Sequence, residues 1–314
     1  MMKSPQRILA GLLLSLVAHA AAAVNITFDY TYDTTGFFAN AAAKNTLNQA
    51  GAYLGSRLQD QLTAITSGGV NDFTAKFFNP SDPNTATSNV SLPNSSVAAN
   101  TILVYVGASN LGATTLGIGG FGGFAASGTQ AFLDNASTRG QAGALATPTN
   151  PATDFGPWGG ALGFNSSNTS WYFDQDTSSV EAFTGFDFFS VAVHELGHLL
   201  GVGLADSWFT NVSGTNFNGA YSSAVHGGPV PLADLNANHW AAGTKGSIGS
   251  MQDAAMGPNI AAGQRTYFTP LDFAALKDIG WEVSAAPVPL PGALVLLFSG
   301  LSLMFAWGKR RALV

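Results

Sequence analysis

The sequence predicts an α+β fold in which several strands pack against a small number of helices. Three observations predict it. Residues 25–33, "NITFDYTYD", alternate Ile26, Phe28, Tyr30 and Tyr32 with polar neighbours, the period of a half-buried strand. Residues 39–65 space Leu47, Ala50, Leu54, Leu58 and Leu62 three and four apart, the period of an amphipathic helix. Residues 100–109, "NTILVYVGAS", are a continuous apolar run between turn formers, which suits an interior strand.

In chain order, residues 1–23 carry Lys3 and Arg7, then a short apolar run, then small residues. That order reads as a secretory signal peptide, too short for a spanning helix. The strand at 25–33 and the helix at 39–65 open the domain proper, expected to span 24–285. Residues 66–98, rich in Asn, Ser, Pro and Thr, read as loop with one short strand. The strand at 100–109 follows. The glycine-rich "GIGGFGGFAASG" at 117–128 reads as a tight surface loop. It lacks the Gly-Lys-Ser/Thr of a phosphate loop. Residues 156–164 and 170–176 read as two short strands joined by a polar turn. Asp174 and Asp176 are assigned to a solvated turn, with a calcium site as the alternative. Residues 185–203 read as a helix that begins near Asp187 and ends at Gly201. Residues 204–268 read as irregular. A last helix covers 269–281, with Thr269 as N-cap and Pro270 in the first turn. Residues 286–314 run from a proline-rich lead through an apolar stretch to Lys309, Arg310 and Arg311, long enough to act as a membrane anchor.

The charge distribution narrows the function. Five of the 12 basic residues lie in the two end segments, whereas all 18 acidic residues lie between them. The middle of the chain is therefore anionic, and no basic patch exists for nucleic acid. There is no cysteine, so an exported chain of this kind draws its stability from its core and from bound ions.

The chemistry is concentrated in "VAVHELGHLLGVG", residues 191–203. On a helix, residues four apart share a face, so His194 and His198 can present two imidazoles to one metal ion. Zinc takes imidazole nitrogens and asks for four partners. Glu195 would stand beside the open coordination position, where it can take a proton from water and hand it to a leaving amine. A buried helix carrying two hydrogen-bonded histidines would give the same five letters. The helical period, the apolar lead-in and the signal peptide favour the metal. The third ligand is open between His239 and His226, with Asp206 as a weaker option.

Extended to Gly201, the motif H-E-x-x-H-x-x-G resembles that of the metzincin zinc endopeptidases, matrixin-like and leishmanolysin-like. The resemblance implies a twisted mixed sheet, a zinc-binding active-site helix and a C-terminal subdomain. A matrixin-like pattern would place a histidine at 204, where this chain has Leu204. The order "NHWAAG", "DAAMGP" and "LDFAALKDIGW" is similar to the leishmanolysin type, in which an insertion precedes the third histidine. That similarity implies His239 as third ligand and Met256 as the methionine beneath the metal, with Met251 as second choice. It also implies an edge strand that pairs with an extended substrate, a role that falls on "WGGALGF", with "WYFDQD" as its neighbour. The tail, with Val288, Pro289, Leu290 and Pro291, resembles a PEP-CTERM sorting signal. That resemblance implies membrane association before processing, and a final place at the cell envelope, cell surface or extracellular matrix of a Gram-negative bacterium.

The expected function is a secreted, monomeric zinc endopeptidase acting on extended peptide or protein substrates, with Glu195 as general base and His194, His198 and His239 as zinc ligands. The alternatives are a degenerate protease scaffold that binds at a surface or biofilm matrix, and a zinc hydrolase of non-peptide bonds. Tyr267 is one of several tyrosines able to face an oxyanion.

Overall fold

The computed structural model describes residues 23–284, except 84–88, 178, 180, 234 and 235. The proposed signal peptide and sorting tail lie outside the described residues. Among the described residues, no helix is long and apolar enough to cross a membrane.

The fold is α+β. Its main sheet has four strands: β1 (Asn25–Asp29), β4 (Thr101–Ser109), β7 (Gly159–Asn165) and β5 (Gly117–Phe121), in the order β1-β4-β7-β5. β1, β4 and β7 run parallel, and β5 closes one side antiparallel to β7, from Gly117 opposite Phe164 to Phe121 opposite Gly160. The parallel pairs need long crossovers. α1 (Ala41–Gly55) lies in the first. The first also holds β2 (Asp72–Phe78) and β3 (Asn89–Leu92), and the second holds β5, β6 (Gly123–Ser127) and α2 (Gln130–Thr138); β3, β2 and β6 join across the two crossovers in a three-stranded sheet.

α1 and α3 (Phe188–Leu199) pack together over the main sheet. Leu47 and Leu54 of α1, Ile102 and Val104 of β4, Phe164 of β7 and Phe188 and Leu196 of α3 share one buried cluster. All 12 residues of α3 are buried, so this helix forms the middle of the molecule. Past α3 the chain forms α4 (Asp206–Phe209), the small sheet β10 (Val212–Ser213), β11 (Asn216–Phe217) and β12 (Val230–Pro231), and α5 (Ala220–His226). The hairpin β13 (Lys245–Ser247) and β14 (Met251–Asp253) then leads to α6 (Pro270–Asp278). α6 begins with a reciprocal capping box between Thr269 and Asp272.

Several sequence expectations are corrected. The helix predicted over 39–65 ends at Gly55, where a side chain would strike the Val24 carbonyl at 2.3 Å. Leu58 and Leu62 are buried all the same, in extended backbone that bridges to Val283 and hydrogen-bonds to Asn100. Residues 66–98 contain two strands rather than one. The glycine-rich stretch at 117–128 is not a loop but β5 and β6. Glycine has no side chain to alternate, so the period-two signal is silent there. The predicted edge strand, β7, is interior, and the open edge belongs to β5. β8 (Trp171–Tyr172) pairs with β9 (Phe186–Asp187), not with β7.

Candidate metal centre

α3 starts where Asp187 accepts hydrogen bonds from the Ser190 backbone N–H at 3.0 Å and its hydroxyl at 2.5 Å. The same carboxylate takes a bidentate pair from Arg265, both contacts 2.8 Å, and Arg265 also meets Asp174 at 2.7 Å. Asp174 is therefore a buried ion-pair partner, not part of a solvated turn. One turn of chain after the motif, Gly201 and Gly203 adopt left-handed backbone, with φ of 105° and 76°. At Gly203 a side chain would also meet the Asn238 carbonyl oxygen at 2.3 Å. The absence of one lets the segment before His239 lie against the end of α3.

That crossing brings His239 onto the two helical histidines. The three Nε2 atoms lie 3.2 Å (His194 to His198), 3.3 Å (His194 to His239) and 3.0 Å (His198 to His239) apart. Among the described residues they form a group able to hold a metal ion. The Nδ1 atom of His194 donates to the Ala255 carbonyl at 2.7 Å, and that of His198 to the Val202 carbonyl at 2.9 Å. Carbonyls only accept, so Nδ1 carries the proton in both neutral rings and Nε2 is left as a bare lone pair. Lone pairs held that close repel unless a cation lies between them. Zinc–nitrogen bonds of about 2.0–2.1 Å at tetrahedral angles put neighbouring nitrogens about 3.3 Å apart. The donor set fits zinc in spacing, in chemistry and in its oriented outer partners.

Burial first, then the neighbouring imidazole of His239, lowers the His194 pKa to about 4. Burial, His194 and His239 likewise hold His198 well below its ordinary value. Both rings are thus neutral, as ligands must be. Glu195 is 6% exposed, and burial pushes its carboxyl up to about 8, opposed by a hydrogen bond from the Gly119 backbone. A bound divalent cation would draw that value back down.

The three histidines and Glu195 line a cleft of about 810 Å³, walled on one side by residues 113–119, which run into β5, and on the other by Gly257, Pro258, Asn259 and Ile260. Beneath it, Met256 is fully buried and would be struck at 2.4 Å by a methyl on Gly197. Met251, the second choice for that position, is 67% exposed on the hairpin. His226 is exposed at the end of α5 and hydrogen-bonds Gly228, and Asp206 is exposed at the start of α4, so neither joins the cluster. Leu204 lines the cleft without a ligating atom. Tyr267 donates its hydroxyl to the Thr177 carbonyl at 2.9 Å and does not line the cleft. Sequence reasoning missed Asp272 and Arg265. Their effect on the site depends on contacts across 16 or more residues, which no local motif encodes.

The Matrixin family model matches residues 124–207, a span from β6 to the start of α4 that includes both histidines of α3. No curated protein and no solved structure matches the chain. The match supports a metzincin-like metalloprotease. Matrixins are zinc enzymes, and zinc is the metal that the three-histidine cluster suits.

Proposed function

We propose that this chain is a zinc-dependent endopeptidase, with His194, His198 and His239 as the zinc ligands and Glu195 as the general base. The observation that carries the reading is the meeting of three imidazole Nε2 atoms beside a buried carboxylate on the wall of an open cleft. Zinc held there supplies Lewis-acid chemistry, polarising the scissile carbonyl and acidifying a water near neutral pH. The Glu195 carboxylate takes the proton of the attacking water and delivers it to the departing nitrogen. The outer edge of β5, which among the described residues no other strand covers, pairs with the extended substrate through backbone hydrogen bonds. Leu116, Val191 and Ile260 give the cleft apolar walls for a substrate side chain. A signal peptide at 1–23 and a sorting tail at 286–314 support activity outside the cytoplasm, at the cell envelope, surface or matrix. The chain would act there as a monomer.

Metal analysis with peptide-library cleavage tests the reading. The expected result is one zinc per chain and cleavage that a chelator abolishes and zinc restores. Glu195→Gln should keep its zinc and lose about 10²–10⁴-fold in kcat/KM. Full activity in that variant would remove Glu195 as the base. A zinc-loaded wild-type chain that cuts nothing would overturn the endopeptidase reading in favour of a binding scaffold.

A further inference from the structure

β5 reads Gly-Ile-Gly-Gly-Phe, three glycines in five residues of an edge strand packed against α3. Glycine inside a strand marks either unusual backbone or a close approach. Backbone is not the reason, because Gly117, Gly119 and Gly120 all lie outside the left-handed region. The three positions differ in what a side chain would meet. A methyl at 117 would lie 2.8 Å from both Cγ and Oε1 of Glu195. A methyl at 119 would lie 2.4 Å from the backbone oxygen of Glu195 and 2.8 Å from Leu162. A methyl at 120 would meet only Leu204, at an ordinary 3.6 Å.

We infer that Gly117 is a positioning residue for Glu195: its missing side chain is the space in which the Glu195 carboxylate rests beside the histidine cluster. Gly119 has a different task, since backbone meets backbone there and a side chain would lift α3 off the sheet. Gly120 has neither task. One strand thus holds a residue that sets the carboxylate and a residue that sets the helix. The inference rests on the endopeptidase reading and adds to it which residue fixes the base.

The test compares Gly117→Ala and Gly123→Ala in the full chain, each alone and combined with Glu195→Gln. Zinc content, kcat and KM on a peptide cut by the wild type are the readouts. The expected result for Gly117→Ala is full zinc, KM within about twofold and kcat lower by about 10²-fold, the scale of an ångström of misplacement. Gly123→Ala, in β6 and away from the cleft, where an added methyl meets nothing within 4 Å, should match the wild type. In the Glu195→Gln background, Gly117→Ala should cost nothing further, because both changes remove the same function. Wild-type kcat in Gly117→Ala overturns the inference alone. So does loss of zinc in that variant, or an equal further loss in the Glu195→Gln background, since the methyl would then act on the scaffold. A wild-type chain that holds zinc and cleaves nothing removes the endopeptidase reading, and the inference with it.

Discussion

The Asp272 carboxylate accepts five hydrogen bonds. They come from the backbone N–H groups of Ala255, Met256 and Thr269, the Thr269 hydroxyl and the Trp240 indole. Burial raises its pKa, and the hydrogen bonds from Thr269, Ala255 and Met256 oppose the rise. Through Trp240 it holds the neighbour of His239. Through Ala255 it holds the carbonyl that orients His194, and through Met256 the side chain packed under Gly197. An amide of the same size turns an N–H₂ toward donors that need an acceptor. Asp272→Asn should therefore weaken zinc binding by about 10–100-fold, the usual cost of losing an outer partner of a metal ligand. Competition against a chromophoric chelator measures this, and Asp206→Asn, exposed and remote from the cluster, should leave the affinity unchanged. Equal affinities in the two variants would mean that α6 supports the fold without setting the ligands.

At the scale of elements, α3 is held at its start by charge and at its end by turns. The side chains of Asp187, Asp174 and Arg265 are 0%, 3% and 2% exposed. Removing the cation from such a group leaves two carboxylates buried without a counter-charge, which costs about 3–5 kcal/mol. Arg265→Met keeps the apolar stem and loses the charge, so urea unfolding of the zinc-loaded chain should show a loss of that size. A change below about 1 kcal/mol would mean that water already reaches the pair. The elements also separate what the sequence makes legible from what it does not. β1, β4, α3 and α6 were legible because each has a periodic apolar face or a cap: alternation in β1, an apolar run in β4, Asp187 and Thr269 at helix starts. In the site, His194, His198 and His239 were legible from one-turn spacing and from a resemblance in motif order. β5 was not legible, because a strand selected for close packing has lost the side chains that announce a strand. The apolar pattern consequently points to β7 as the substrate edge, although its residues are buried on both faces. Arg265 was not legible because its partners lie 78 and 91 residues away.

On the scale of the whole molecule, the two ends of the described chain close against one segment. Val24 donates to the Leu58 carbonyl, Gln59 to the Glu282 carbonyl and Ser284 to the Arg57 carbonyl, while Leu58 bridges Val283. Asp60 is buried in this closure and accepts from the Glu282 backbone N–H at 3.3 Å. Burial first, then the facing Glu282 carboxyl, pushes the Asp60 pKa from 3.8 up to about 8. The folded chain thus keeps a proton between about pH 4 and 8 that the unfolded chain releases. The unfolded state binds fewer protons in that window, so this group makes stability fall as pH rises, with a slope of up to about 1.4 kcal/mol per pH unit. His194 and His198 act in the opposite sense on the metal-free chain. Their pKa values are lowered by folding, so stability falls as pH drops below about 6.5. Zinc binding to the neutral rings steepens that acid limb, because protons must displace the metal. Asp60 does not line the cleft, so its slope should persist in the zinc-loaded chain. Asp60→Asn keeps the hydrogen bond from Glu282 and has no proton to lose. In unfolding series at pH 5, 6, 7 and 8, the variant should gain on the wild type steadily with pH and be the more stable of the two at pH 8. A constant difference across the series would mean that Asp60 is already ionised in the folded chain, with Glu282 turned away from it.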